Sequence, residues 1–505
     1  RPPVIRRALI LLPLMVGLGQ PGGCANYNSA APGYVQAYTA RDFEAALALT
    51  DDYVQDRNDR LVWALEQGKL LHETGAFRQS QNALDVAAGL LDRYRQEPET
   101  RISHEIGSIF WNPLATPYRG RQSDHILVHT YEMLNHLALG NPEAAQVARR
   151  RALVAQEDAV LRNQAAIAAA QDEAASFSRR QLGRGDAVVD STRDLMQSDE
   201  FEQTYDEVRS HIRPSYAPYA NPLTSYVAGL VAVTEGEPDT AAVDFRKVAG
   251  MAPNNAYVDE DLRDRGWLDP AAAGRQVVYI LHEQGLIAQR EETRIPYFTP
   301  WTGASVLALP TLGFPARHVT ELVATDVETG ETRRSAELAD LNAVVAADFD
   351  RELPRAVTRA IMALIAKEAA TAVAGRQEGG EWAILAGSIY KLVSAAADTR
   401  GWRGLGSSVG LIRLERENRG PVRLRVAGRG SFGGPGAVRT IELPEADAVL
   451  VLARSVLPTD LLVHAIPLSD GMSAGRGRSE GGPGRPSSPV SDESAVGDPT
   501  GIEAN

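Results

Sequence analysis

Apolar positions in the first half of the chain recur at helical spacing and are broken by short glycine or polar turns. Leu61, Leu65, Leu70 and Leu71 precede Gly75, and Leu84, Ala87, Ala88 and Leu91 follow it. Each set marks one face of a helix that would be left with an exposed apolar stripe if it stood alone. Four segments share one punctuation: Arg41-Asp-Phe43-Glu-Ala-Ala46, Gly75-Ala-Phe77-Arg-Gln-Ser80, Gly140-Asn-Pro142-Glu-Ala-Ala145 and Gly236-Glu-Pro238-Asp-Thr-Ala241. The turn residue ends a helix, the Phe or Pro starts the next, and the small residue lets the two approach closely. The pattern predicts helical hairpins over residues 25–290, stacked so that neighbours bury one another's apolar faces.

Arg41 and Gly75 are 34 residues apart, the tetratricopeptide period. The hairpin closest to that family's pattern has Tyr226, Gly229 and Leu230 before Gly236, then Ala241, Phe245, Val248 and Pro253-Asn254-Asn255. Later spacings of 65 and 96 residues imply insertions. One, Glu97 to Gly120, carries Phe110-Trp111-Asn112-Pro113 and Pro117-Tyr118-Arg119-Gly120 and reads as an ordered loop. The other, Arg149 to Tyr205, holds an Ala- and Gln-rich run of high helix propensity, Asn163 to Ala175, which predicts a long projecting helix that breaks at Arg184-Gly185-Asp186.

From Arg294 the texture changes. Val319 to Val327 reads as a strand entering a hairpin at Thr329-Gly330-Glu331, and Leu338 to about Arg376 as an amphipathic helix pair restarting at Pro354. Trp382 to Ala397 reads as another helix. Val409–Leu414, Val422–Val426, Val438–Leu443 and Ala448–Ala453 alternate as strands of a small antiparallel sheet. The expected fold class is therefore α+β: an all-α, tetratricopeptide-like N-terminal solenoid, then a smaller mixed domain over 291–465. Residues 466–505, poor in large apolar side chains, predict a disordered tail.

The extreme N-terminus changes the picture. Arg1, Arg6 and Arg7 precede an apolar run, Ala8 to Leu18, which is short for a bilayer span but right for the core of a signal peptide. Gly22-Gly23-Cys24 follows and resembles a lipoprotein processing site, although Pro21 departs from the pattern, which prefers an apolar residue there. Residues 1–24 are read as a signal peptide with Cys24 as the lipidated residue. Ala25 points onward to the outer membrane, because no acidic retention signal follows the cysteine. Cys24 is the only cysteine, so no intramolecular disulfide can form, and if Cys24 carries lipid no free thiol is left, so that disulfide scaffolds, zinc ribbons and cysteine catalysis are excluded together. A net charge of −13 argues against nucleic-acid binding, so the lipid is the expected membrane attachment.

Candidate chemistry is thin. Gly406-Ser-Ser408-Val-Gly410 matches a nucleophile-elbow pattern, but a Gly-rich loop precedes it and a strand follows, the reverse of what the elbow requires. Gly428-Arg-Gly430-Ser-Phe-Gly433 lacks the helix that would receive a pyrophosphate and reads as a hairpin loop. His125 and His129 share a helix face without a metal-protease glutamate between them and read as core residues; His282-Glu283 reads as a solvated helix end. No metal and no cofactor are expected.

Trp63-Ala-Leu-Glu-Gln-Gly68, Asn112-Pro-Leu-Ala-Thr-Pro-Tyr-Arg-Gly120, His129-Thr-Tyr131 to Leu139-Gly140, and Ala397-Asp-Thr-Arg-Gly-Trp402 carry a resemblance over residues 25 to 460. The chain resembles proteobacterial envelope lipoproteins with tetratricopeptide-like repeats, some of them found beside lipoprotein activators of penicillin-binding proteins. That resemblance implies envelope maintenance. The expectation is a nonenzymatic scaffold on the periplasmic face of the outer membrane, holding an envelope protein in the concave groove of the solenoid, with Tyr118, Arg119, His129 and Asn135 as contact residues. The alternative is an envelope hydrolase or glycan-binding protein with its site near Trp301, Asp398, Arg400 and Trp402.

Overall fold

All four punctuation residues sit in left-handed backbone, with φ of 65° at Arg41, 79° at Gly75, 65° at Gly140 and 72° at Gly236. Each closes the same turn. The amide of the next residue (Asp42, Ala76, Asn141, Glu237) donates to the carbonyl five residues back, and that of the turn residue to the carbonyl three back. This is the Schellman arrangement, which satisfies the last carbonyls of one helix before the next begins. It joins α1 (Tyr27–Thr39) to α2 (Phe43–Tyr53), α3 (Arg60–Glu73) to α4 (Phe77–Gln96), α5 (Gln122–Ala138) to α6 (Pro142–Leu182), and α9 (Pro222–Thr234) to α10 (Pro238–Met251). The computed structural model describes residues 27–97, 116–183, 185–263, 275–299, 303–374, 397–417, 420–428 and 436–468.

The helices pack in chain order from α1 to α6, and α9 then lies against α5, α6 and α10. Close approach inside two hairpins rests on glycine seven residues before the turn. A methyl at Gly68 would lie 2.5 Å from Leu84, and one at Gly229 would lie 2.7 Å from the Phe245 ring. The predicted long helix is α6, whose 41 residues span about 60 Å. Its last turns leave the stack and, with α7 (Ala187–Met196) and α8 (Asp199–Ser210), build a second core around Phe177, Val188, Phe201, Tyr205, Phe349 and Ile361.

The chain is α+β, as expected, but its sheet is larger and differently wired. Strands β1 (Gln276–Gln284), β2 (Gln289–Thr299), β3 (Gly303–Gly313), β4 (Val319–Asp326), β5 (Thr332–Arg334) and β6 (Ala336–Asp340) precede α12 (Leu341–Ala374). After it come β7 (Ser408–Arg416), β8 (Val422–Gly428), β9 (Val438–Ile441), β10 (Ala448–Ser455) and β11 (Leu462–Pro467), while the short α11 (Ala256–Arg263) links α10 to the strands. Five strands form one sheet in the order β11-β10-β1-β7-β6, four form another in the order β5-β4-β8-β9, and β2-β3 make a ribbon.

Several expectations need correction. β1, inside the stretch read as helical repeats, is the central strand of the larger sheet; it pairs with β10 in parallel, so that sheet is mixed rather than antiparallel. His282-Glu283 lies in this buried strand, not at a solvated helix end. The pair of helices expected from Leu338 is instead β6 followed by one helix that carries Pro354 in its interior. The hairpin at Thr329-Gly330-Glu331 is present, with Gly330 at φ 74° between β4 and β5. The signal peptide with Cys24, the Phe110-Trp111 loop, Trp301, the helix expected over 382–397 apart from Ala397, and the tail from Ser469 lie outside the described residues. No helix among the described residues is long and apolar enough to cross a membrane.

One core runs through both halves of the chain. Tyr34, Trp63, Leu84, Tyr131, Tyr226, Ile280, Leu411, Leu424 and Val451 belong to a single cluster, so the hairpins and the sheets bury each other.

The turn chemistry predicts opposite effects for two glycine-to-alanine changes. Gly140 has open space around its Cα but a left-handed backbone, so Gly140→Ala costs about 1 kcal/mol. Gly89 lies exposed in mid-α4 with nothing near it, so Gly89→Ala stabilises by about 0.5–1 kcal/mol. Urea denaturation of the two variants reads both signs.

Candidate functional site at the helix–sheet junction

Helix α3 buries polar residues on a face that elementary patterning would give to water. Glu66, Lys69, His72 and Glu73 are all buried, at 5% exposure or less. They meet the first helix of the array on one side and the centre of the five-stranded sheet on the other. Lys69 pairs with Glu73 one turn on and with Glu283 of β1, 3.1 Å away. Arg454 of β10 donates to Glu73 at 2.9 Å, and Tyr38 of α1 donates to the same carboxylate. Tyr131 of α5 donates to Glu283 at 3.0 Å, and its ring lies under the Lys69 ammonium at 4.9 Å. The parallel register sets Glu283 beside Arg454 on one face of the sheet, which fixes the spacing of the charges facing α3.

Burial penalises the charged form of Glu73, but Lys69 and Arg454 outweigh it and hold the carboxyl at about 2, below its ordinary range. Around this quartet, His72 Nδ1 lies 2.7 Å from Asn135 Oδ1, and Asn135 in turn donates to Ser80 Oγ at 2.8 Å. Burial, and then Lys69, push His72 down to about 4. A cavity of about 40 Å³ remains among Lys69, His72, Glu73, Tyr131, Glu283 and His464, room for only a few waters.

One turn earlier on the same helix, Glu66 accepts from Tyr27 Oη at 2.7 Å and from the amides of Arg403 and Gly404 at 2.6 and 2.9 Å. Burial nevertheless raises its carboxyl to about 7. A second cavity of about 40 Å³ opens beyond Trp402, lined by Tyr118, Arg121, Asp124, Arg290 and Asp348 among others. There Arg121 and Arg290 share Glu352 at 3.1 and 2.8 Å. Burial and the neighbouring Glu352 raise the Asp348 carboxyl.

Of the two sequence-derived residue sets, the structure brings Tyr118 and Arg400 together and buries most of the described members. Tyr118 is buried and donates to Asp124 at 2.5 Å. The Arg400 guanidinium sits 5.6 Å from the Tyr118 ring, bonded to Asp398 at 2.8 Å and to Asp59 at 2.9 Å. Trp402 is packed against Tyr131. Arg119, half-buried, donates to the carbonyls of Tyr94 and Glu97 and so caps the end of α4. His129 is buried, 2.7 Å from Glu132, and Asn135 is fully enclosed. Asn135 therefore ties α5 to α3 and α4, Tyr118 braces the start of α5, and His129 pairs within α5. The chain's own sheet lies on the side of the first helices, against Tyr38, Lys69, Tyr131 and Tyr226.

Ser408 is buried in the first position of β7, which agrees with reading its motif as structural. His125 is buried as expected, and burial lowers its pKa well below the ordinary histidine value. No group of three or more His, Cys, Asp or Glu among the described residues could hold a metal ion. The buried quartet itself was missed. Its signal was available in Glu66, Lys69 and Glu73, spaced three and four apart on a helix whose other positions are mostly apolar, which leaves little face for solvent. Compared with protein-family models, curated proteins and solved structures, the chain matches none of them.

Removing one charge from the quartet strands the others. Lys69→Met leaves buried Glu73 and partly buried Glu283 short of their cation and costs about 3–5 kcal/mol, and adding Glu283→Gln recovers part of that loss. Chemical denaturation of the single and double variants measures both; a loss below about 1 kcal/mol for Lys69→Met would show that water screens the quartet.

A pH dependence follows from His282. Neither ring nitrogen has a hydrogen-bond partner among the described residues, and burial, then Arg454, holds the imidazole at about 3. The unfolded chain takes up that proton near pH 6.5, so this stabilising term is complete above that pH and is lost progressively as pH falls toward 3. His282→Leu reduces the acid-side slope of stability by up to about 1.4 kcal/mol per pH unit, measured as denaturation midpoints from pH 4 to 7.

Proposed function

We propose that this chain is a lipid-anchored adaptor of the Gram-negative envelope. In this reading Cys24 holds it to the periplasmic face of the outer membrane, and tetratricopeptide-like hairpins bind a partner protein without chemistry of their own. One observation carries the binding mode. The first helices of the hairpins, α1, α3, α5 and α9, turn toward the chain's own sheet through Tyr38, Lys69, Tyr131 and Tyr226. The second helices carry exposed apolar side chains: Val86 on α4, Val147, Val154 and Leu161 on α6, and Val243 on α10. The binding surface in this proposal is therefore the outer, convex side.

The anchor reading draws on Gly22-Gly23-Cys24, which stands three residues before Tyr27, a fully buried residue whose amide donates to Asp59 at 2.6 Å. Three residues of chain reach about 10 Å at most, so lipid on Cys24 would hold the body against the headgroups. The adaptor reading over an enzymatic one draws on the junction itself, where the charged groups are spent on each other in bridges between elements.

Labelling cells with an alkyne fatty acid is expected to mark the wild type and not Cys24→Ser. A photoreactive amino acid at Val86 or Val243 is expected to give a discrete protein adduct in intact envelopes, while one at exposed Val438 on β9 is not. Equal labelling of the Cys24 variant removes the anchor; absence of adducts at both helical positions removes the convex binding surface.

A further inference from the structure

We infer that the outward face of α6 is a self-complementary surface that pairs antiparallel with α6 of a second copy of this chain. Helix α6 packs inward through Ala145, Ala148, Ala152, Ala155, Ala159, Ala170, Ala174 and Phe177. At 100° per residue, the line opposite them runs Glu143, Arg150, Val154, Leu161, Ala168, Asp172 and Arg179, all within about 20° of Leu161 around the axis. All seven are exposed. Leu161, at 68%, and Val154, at 52%, are the two most exposed large apolar side chains among the described residues, and they occupy the middle of this line.

The order of charges selects the occupant. Counted outward from Leu161, the residues seven positions away are Val154 and Ala168, those eleven away are Arg150 and Asp172, and those eighteen away are Glu143 and Arg179. An antiparallel copy with its two-fold axis at Leu161 therefore sets Leu161 on its own equivalent, Val154 on Ala168, Arg150 on Asp172 and Glu143 on Arg179. Every apolar residue of the line meets an apolar one, and every charge meets its opposite. A parallel copy in register would set each charge on itself. A two-fold interface of this kind is isologous, the commonest way in which chains dimerise. The alanine on one side of each Val154–Ala168 layer lets the helices approach closely while the larger side chain fills the gap. This pairing does not depend on the lipid anchor, and it assigns Val154 and Leu161 of the convex side to a second copy, which leaves Val86 on α4 and Val243 on α10 to the partner proposed above.

The test uses the full chain carrying Cys24→Ser, which has no other thiol. Sedimentation equilibrium at micromolar concentration is expected to show a dimer. Leu161→Asp, at an exposed position, is expected to give a monomer with an unchanged urea midpoint. Under mild oxidation Leu161→Cys is expected to cross-link to itself. Val154→Cys and Ala168→Cys are each expected to cross-link only when the two variants are mixed. Arg150→Asp weakens the dimer roughly tenfold through its two symmetric pairs, and adding Asp172→Arg restores it. A monomeric parent chain, or self-cross-linking at Leu161 no faster than at an exposed control such as Gly89→Cys, overturns the inference.

Discussion

The buried ionic junction between α3 and the sheet is the constraint on which the rest of the architecture depends. Lys69, Glu73, Glu283 and Arg454 come from two helical turns and two neighbouring strands, and each carries a charge that would be very costly alone in the interior. Only one relative placement of the hairpins and the sheet satisfies all four. Hydrophobic burial supplies the driving force for the contact, but apolar surfaces tolerate sliding, whereas this quartet does not. Two further bridges act in the same sense: Arg413 of β7 lies 2.9 Å from Asp261 of α11, and Arg400 lies 2.9 Å from Asp59 at the start of α3. The sequence separations are large, so these contacts register distant parts of the chain against each other.

That registration explains why the array of hairpins does not behave as a free-standing rack. A stack of helical hairpins has two sides, one lined by the first helices and one by the second. Here α5 and α9 are buried almost all round, because the first helices are sandwiched between their hairpin mates and the strands. The repeats thus serve as one layer of a larger core. The exposed apolar side chains of the hairpins lie on the second helices: Val86 on α4, Val147, Val154 and Leu161 on α6, and Val243 on α10.

Helical punctuation was legible because it is local. The Schellman turn needs a residue tolerant of left-handed backbone followed by a strong helix start, and both fall within six residues. It could be seen even at Arg41, where no glycine marks it, by analogy with the other three. The strand pairing was not legible, because Val277 to Leu281 is a short continuous apolar run that fits a buried helix as well as a buried strand. Its partners β7 and β10 lie more than a hundred residues away. The wrong reading of His282-Glu283 followed from that ambiguity: once β1 is a central strand, Gly410 and Ala453 lie opposite His282 in the register, and two small neighbours make room for an imidazole that water never reaches.

The fold treats the candidate contact residues in a related way. Tyr118, His129 and Asn135 were chosen as polar or aromatic groups on or beside helices, on the premise that such groups seek a partner. They do have partners, but within the chain: Asp124, Glu132, and the His72 and Ser80 side chains. A polar residue at an interhelical crossing fixes the crossing, because leaving its hydrogen bonds unmade in the interior costs more than the bonds themselves contribute. Exposed apolar side chains follow the opposite logic, since water gives them nothing and the fold has left them uncovered. Among the described residues these are Val154 and Leu161 above all, set on the one helix that runs from the stack into the second core.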